Sequence, residues 1–174
     1  MKRRFERLVD EHAPRLLQLA RFLLRSNAEA EDVVQDTLIK LWHHLREIER
    51  GGERAWLVTC TRNACLDRLR RDQRQNGLRQ QAFAVERHLD QHIDRDDPGA
   101  VNQRQERNQA LHRAIADLPE PARSLIVLRD IQDIDVATVA ATLSLTENQV
   151  KVYTFRARRA LRRQLEETRH EQVA

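Results

Sequence analysis

The chain has 174 residues, 33% of them charged and only 4% aromatic, with 4 glycines, 4 prolines and 2 cysteines. That length holds one domain or two small ones, and the composition argues against a hairpin-rich β fold, a disulfide-stapled secreted fold and a membrane-spanning chain. A net charge of +4 and a pI near 9.7 suit a polyanionic partner.

The opening MKRRFERLVDEH is charged and has no apolar stretch behind it, so it is not a secretory signal, and a cytoplasmic protein without membrane insertion is expected. Phe5, Leu8 and Val9 open a helical face, and Pro14 marks a kink or a fresh start. Leu16, Leu17, Leu19, Ala20, Leu23 and Leu24 make the next turns apolar on one side. Ser26 with Glu29 has capping-box spacing and predicts a new helix. In it Val33, Val34, Leu38, Leu41 and Trp42 face inward, while Glu29, Glu31, Asp32, Gln35, Asp36 and Lys40 face outward, the acids crowding the N-terminus where the helix dipole favours them. Gly51-Gly52 breaks the pattern. Trp56, Leu57, Cys60 and Ala64 then resume it in a helix that ends in Arg68, Arg70, Arg71 and Arg74, mixed with Asp67 and Asp72. Trp42 and Trp56, at helical spacing, read as core rather than as stacking platforms. Cys60 and Cys65 do not face each other along a helix, so free thiols in a reducing compartment are expected.

Residues 73–109 turn polar, dominated by Gln, Arg, Asp and Asn, with a break at Asp97-Pro98-Gly99. They read as a linker in which Phe83, Val85, Leu89 and Ile93 make at most a transient helix. Leu111, Ile115 and Leu118 begin a second block, and Ser124 to Arg129 is a further apolar helix. Val136, Val139, Ala140 and Leu143 then fall on one face of a short helix, and Ser144-Leu145-Thr146 interrupts it. Thr146 with Gln149 forms another capping box, opening a helix that buries Val150, Thr154, Ala157 and Leu161 and turns Lys151, Arg156, Arg158, Arg159, Arg162 and Arg163 outward, with no acid between Lys151 and Glu166. A short helix, a tight turn and a cationic helix form the geometry that places side chains in a major groove. The expected fold is all-α: two small helical domains, 1–72 and 110–168, joined by the 73–109 linker, with a tail at 169–174.

These motifs resemble the bacterial RNA polymerase sigma factors of the extracytoplasmic-function type. AEDVVQDTLIKLW (30–42) resembles the polymerase-binding helix of sigma region 2, RAWLVTCTRNACLDRLRR (54–71) its promoter-melting, −10-reading helix, and LPEPARSLIVLRD with the helix-turn-helix and FRARRAL resembles region 4, which reads the −35 element. The resemblance implies that Asp32, Gln35, Asp36 and Lys40 dock on the clamp of the largest subunit of core RNA polymerase. It implies that the Leu45–Glu53 loop with Arg62, Asn63, Asp67, Arg70 and Arg71 captures melted −10 DNA. In region 4 it implies that Gln149, Lys151, Val152, Tyr153, Phe155, Arg156 and Arg159 meet −35 DNA. Promoter DNA and an anti-sigma factor are the further partners it implies.

Val152-Tyr153 stand where the family commonly has Ser-Arg, Asn148-Gln149 replace a frequent Gly-Thr, Thr138 replaces a usual Glu, and a common Gly is replaced near Gln132-Asp133. The apolar frame survives, so the resemblance carries over the fold but not the family's familiar −35 sequence. Gln149 suits adenine, Val152 a thymine methyl, and Arg156 a phosphate or guanine.

Two other classes compete: a self-sufficient DNA-binding regulator, and a metal-dependent enzyme acting on nucleic acid. His88 and His92 are four apart and His43-His44 adjoin the acidic helix, but no Cys pair completes a zinc site, and there is no Gly-rich phosphate loop. The acids of Glu29 to Asp36 lie on one helix turn without convergent partners, so neither catalysis, cofactor nor metal is expected.

Overall fold

A computed structural model describes residues 1–24, 26–79 and 100–171 and is all-α, as expected, with no strand among the described residues. The chain divides into two compact units, residues 1–90 and 91–174. The reading of Phe83, Val85, Leu89 and Ile93, the break at Asp97-Pro98-Gly99 and the His88–His92 pair lie outside the described residues.

In the first unit, α1 (Lys2–Leu23), α2 (Asn27–His44) and α3 (Glu53–Arg79) all pack on one another. Pro14 neither ends nor restarts α1: the helix runs through it. Proline removes the amide that would bond the Asp10 carbonyl. Asp10 and Pro14 are not in the core, so water can take that carbonyl, while Leu8, Leu16, Leu19, Ala20 and Leu23 bury one continuous face on either side. Ser26 caps α2, its hydroxyl accepting the Glu29 N–H at 3.3 Å. Ala30, Val33, Val34 and Leu41 of α2 and Leu57, Val58, Cys65 and Leu66 of α3, which packs on it, are all buried. Thr37 and Thr61, both fully covered at this seam, satisfy themselves: Thr37 donates to the Val33 carbonyl at 2.8 Å and Thr61 donates to Thr37 at 3.5 Å.

In the second unit, α4 (Ala100–Asp117), α5 (Ala122–Ile126) and α6 (Val136–Leu143) each pack on α7 (Glu147–Glu171). The stretch read as one apolar helix from Ser124 is α5 followed by a single π turn, Val127–Ile131. Leu125, Ile126, Val127 and Leu128 are buried in succession, so this segment is enclosed on all sides rather than amphipathic. Past it Asp133 sits at φ 50°, the left-handed region that glycine adopts freely.

Both ends of the stretch read as a linker are helical: α3 continues to Arg79 and α4 begins at Ala100. Once a buried segment nucleates a helix, each added residue gains a hydrogen bond at little further entropic cost, and Gln and Arg are good helix formers. Polar composition therefore marks where the core stops, not where the helix does.

Candidate nucleic-acid interface

On α2 the turns that bury Val33, Val34, Thr37 and Leu41 leave Asp32, Gln35, Asp36 and Lys40 on the exposed face. Ile39 joins them at 56% exposure, an apolar side chain that acid spacing alone does not single out. Asp32 is not merely a solvated acid: Arg68 of α3 donates to its carboxylate at 3.0 Å and lies 3.7 Å from Glu29. Trp42 corrects an expectation. It is 39% exposed and forms a T-shaped pair with Phe5 at a centroid distance of 5.0 Å, while its neighbour Leu41 is fully buried. Trp56 is half-buried, 6.3 Å from the His44 ring.

The loop between α2 and α3 is held by a residue from the first turn of α1. The Arg4 guanidinium donates to the carbonyls of Leu45 (3.0 Å) and Ile48 (3.2 Å) and to the Glu53 carboxylate (2.7 Å). Glu53 also accepts the Gly51 N–H at 2.6 Å, and Gly51 sits at φ 91°, where any side chain would strain the turn. Arg4, with the Gly51 N–H, holds the Glu53 carboxyl below the usual range against the opposing push of burial. Leu45 and Glu53, the ends of the expected base-reading loop, are buried anchors, and the segment between them is left at the surface. Along α3, Asn63, Asp67, Arg70 and Arg71 lie on one outward stripe, beside half-buried Arg62. Arg62 donates to the Asn63 amide oxygen at 3.1 Å, which leaves the Asn63 NH2 outward, and Arg70 pairs with Asp67 at 3.1 Å. Both cysteines are free; burial pushes Cys60 up and Cys65 up to about 12, so neither is a ready thiolate.

The helix-turn-helix is α6, the turn through Ser144 at φ 55°, and α7. Asp135 caps α6 by accepting the Thr138 N–H at 2.8 Å, and hydrogen bonds from the Thr138 hydroxyl and amide hold its carboxyl below the usual range. The second box closes in both directions: Thr146 N–H donates to Gln149 Oε1 at 2.8 Å and Gln149 N–H donates to Thr146 Oγ1 at 3.2 Å. Val150, Thr154 and Ala157 are buried, and Leu161 is half-covered. On the outer face Val152 (47%) and Phe155 (68%) stand exposed among Lys151, Gln149, Arg156 and Arg159, with Tyr153 half-buried at the edge. Arg158 departs from the cationic face: it forks onto Asp130 of the π turn at 2.9 and 2.5 Å, and that carboxylate raises its pKa. Among the described residues no group of three His, Cys, Asp or Glu could hold a metal ion, and no helix is long and apolar enough to cross a membrane.

Two helical units, the second a capped helix-turn-helix with a cationic outer helix, define a DNA-binding class of protein. The family models for Sigma-70 region 2 and Sigma-70 region 4 match residues 8–75 and 108–161. The ECF RNA polymerase sigma factor SigL of Mycobacterium tuberculosis is 34% identical over 164 residues, covering 92% of this chain and 88% of that protein. SigE of Mycolicibacterium smegmatis is 28% identical over 160 residues, 91% of this chain, which spans only 60% of SigE. Among solved structures, the sigma factor RpoE in complex with the anti-sigma factor NepR from Bartonella quintana superposes with a TM-score of 0.73 at 27% identity, covering 93% of this chain and 96% of that one. The chain belongs to the extracytoplasmic-function branch of the sigma-70 family.

Proposed function

We propose that this sigma factor directs core RNA polymerase to promoters through three separate surfaces: the outer face of α2 for the polymerase clamp, the α2–α3 loop with the exposed stripe of α3 for the melted −10 strand, and the outer face of α7 for the −35 duplex. Residues 1–72 carry the first two surfaces and 110–168 the third. The observation that carries the reading is the uncovered face of α7. Val152 and Phe155 leave large apolar surface in water on a helix otherwise lined by Lys151, Arg156 and Arg159, and the arrangement gains from a groove that offers thymine methyls between phosphates. The exposed Ile39 amid Asp32, Asp36 and Lys40 supports a protein partner for α2 in the same way. An anti-sigma factor covering one or more of these faces completes the proposal, by likeness to the RpoE–NepR complex.

The duplex is read chiefly by the first two turns of α7. Gln149 contributes under a constraint: its carbonyl is engaged by the cap, so it offers its NH2 to a base edge, and a two-bond grip on adenine requires the carbonyl to serve both. In vitro transcription with purified core polymerase, with and without the protein, tests the whole. Specific initiation only when both are present is expected. Tight operator binding without polymerase would favour an autonomous regulator, and metal-dependent cleavage of the template would favour an enzyme.

A further inference from the structure

The outer helix of the second unit is rich in cations, and one of them is held by an acid from another element. Lys151 and Arg158 are seven positions apart on α7, just under two helical turns, so both stand on one flank of the face that carries Val152, Phe155 and Arg159. Both are exposed. Arg158 is nevertheless engaged: its Nε and Nη2 donate to the two carboxylate oxygens of Asp130 at 2.9 and 2.5 Å. Asp130 belongs to the π turn, whose Val127 and Leu128 are fully buried, so the core fixes the backbone that carries it. The pair itself is not buried. The Arg158 and Asp130 side chains are 57% and 29% exposed, and an ion pair this open to water adds little to stability. A guanidinium fork fits a carboxylate and a phosphate by the same two parallel hydrogen bonds. Asp130 therefore fills the position that a DNA phosphate would take, and the two exclude each other.

We propose that Asp130 withholds Arg158 from the backbone of duplex DNA and so keeps the sequence-independent grip of α7 weak. The proposal rests on the reading of the outer face of α7 as the surface for the −35 duplex. Phosphate contacts strengthen binding to every duplex alike, promoter or not. With Arg158 engaged by Asp130, a larger share of the factor stays off random DNA, and promoter choice is left to the base-facing residues and to core polymerase. Arg156 and Arg159 keep the phosphate contacts that seat the helix.

The test uses holoenzyme assembled with the full chain and two fluorescent duplexes of equal length. One carries the −35 element, without the −10 element, of a promoter on which the parent is active; the other has the −35 bases scrambled. Anisotropy titrations at several KCl concentrations compare the parent with D130A, R158A and D130A/R158A. All three variants lose the fork, and D130A alone frees a guanidinium. D130A is expected to bind both duplexes more tightly, with a slope of log affinity against log salt steeper by about 0.9. R158A and the double variant are expected to keep the parent's slope, whereas a merely structural fork would move all three together. A parental slope in D130A overturns the proposal. So does a steepened slope that persists in D130A/R158A, which would assign the effect to repulsion by the Asp130 charge. A shallower slope in R158A also overturns it, by placing Arg158 on a phosphate in the parent. A parent that prefers the −35 duplex to the scrambled one keeps the reading of α7 standing through each of these failures. A parent without that preference refutes the reading first, and this proposal with it.

Discussion

Arg4 determines the shape of a loop 41 to 49 residues away from it in sequence. Replacing it with Ala removes one guanidinium from two carbonyls and a largely buried carboxylate, and should cost on the order of 2–4 kcal/mol in the first unit. Glu53→Gln is the gentler probe and its pH dependence has a definite sign. The folded carboxyl titrates below its unfolded value, so its contribution is complete above the ordinary glutamate range and disappears as pH falls through the lowered folded value. Urea melts should therefore show the variant weaker than the parent at neutral pH, with the gap closing in acid; a gap constant with pH would mean that Arg4 does not stabilise the ionised state. Ser144 supplies a prediction of opposite sign. A non-glycine residue in the left-handed region carries a backbone cost, so Ser144→Gly should raise stability by about 0.5–1 kcal/mol in thermal or urea unfolding. Gln149 separates structure from recognition: Gln149→Ala should cost about 1 kcal/mol by removing half of the cap, whereas Gln149→Glu keeps the box and should restore it. Any change in −35 preference that persists in the Glu variant then belongs to base recognition rather than to a frayed helix.

Individual helices are largely legible in the sequence, because each announces itself within a few residues. Ser26 and Glu29, Thr146 and Gln149, and the apolar rows of α2 and α7 are local signals, and capping chemistry at three- and four-residue spacing does not depend on the rest of the fold. The candidate site is legible only as a set of faces. Arg68 with Asp32, Arg4 with Glu53 and Arg158 with Asp130 join residues 28 to 49 positions apart, and no local pattern says which arginine on a basic helix is spoken for. That distinction has consequences on α7. Arg158→Ala should remove a coupling of about 0.5–1 kcal/mol to Asp130, measurable in a double-mutant cycle with Asp130→Ala. It should leave the salt dependence of promoter binding where it was. Arg156→Ala should do the reverse, leaving stability alone and lowering the salt slope by about one unit. A lowered slope in the Arg158 variant would mean that the fork opens to take a phosphate. Trp42 escapes a local pattern for the converse reason: helical periodicity gives the direction of a side chain but not how far the neighbouring helix extends to cover it.

Across the molecule, the charges are sorted by task rather than by total. A net of +4 conceals an acidic, partly apolar face on α2, a mixed stripe on α3 and a cationic helix in α7, so the same chain can present one surface to a basic protein partner and others to DNA. The division of labour predicts which defects belong together. Charge reversal at Asp36 should weaken holoenzyme assembly without altering promoter ranking, because the exposed acid lies on the face proposed for the polymerase. Asp32 reversal should do the same and also loosen the α2–α3 seam through Arg68, so that its assembly defect is accompanied by a lower melting temperature. Asn63→Ala should leave assembly intact and reduce open complexes, read as weaker permanganate reactivity of −10 thymines. Val152→Ser should instead reorder a library of −35 variants, with about 1–3 kcal/mol at a single base position. Duplex engagement and strand capture are separate steps, so the Asn63→Ala and Val152→Ser effects on initiation should add within about 0.5 kcal/mol in the double variant. A double variant no worse than either single one would show that the two substitutions impair a shared event, and the assignment of −35 choice to α7 and melting to α3 would fail together.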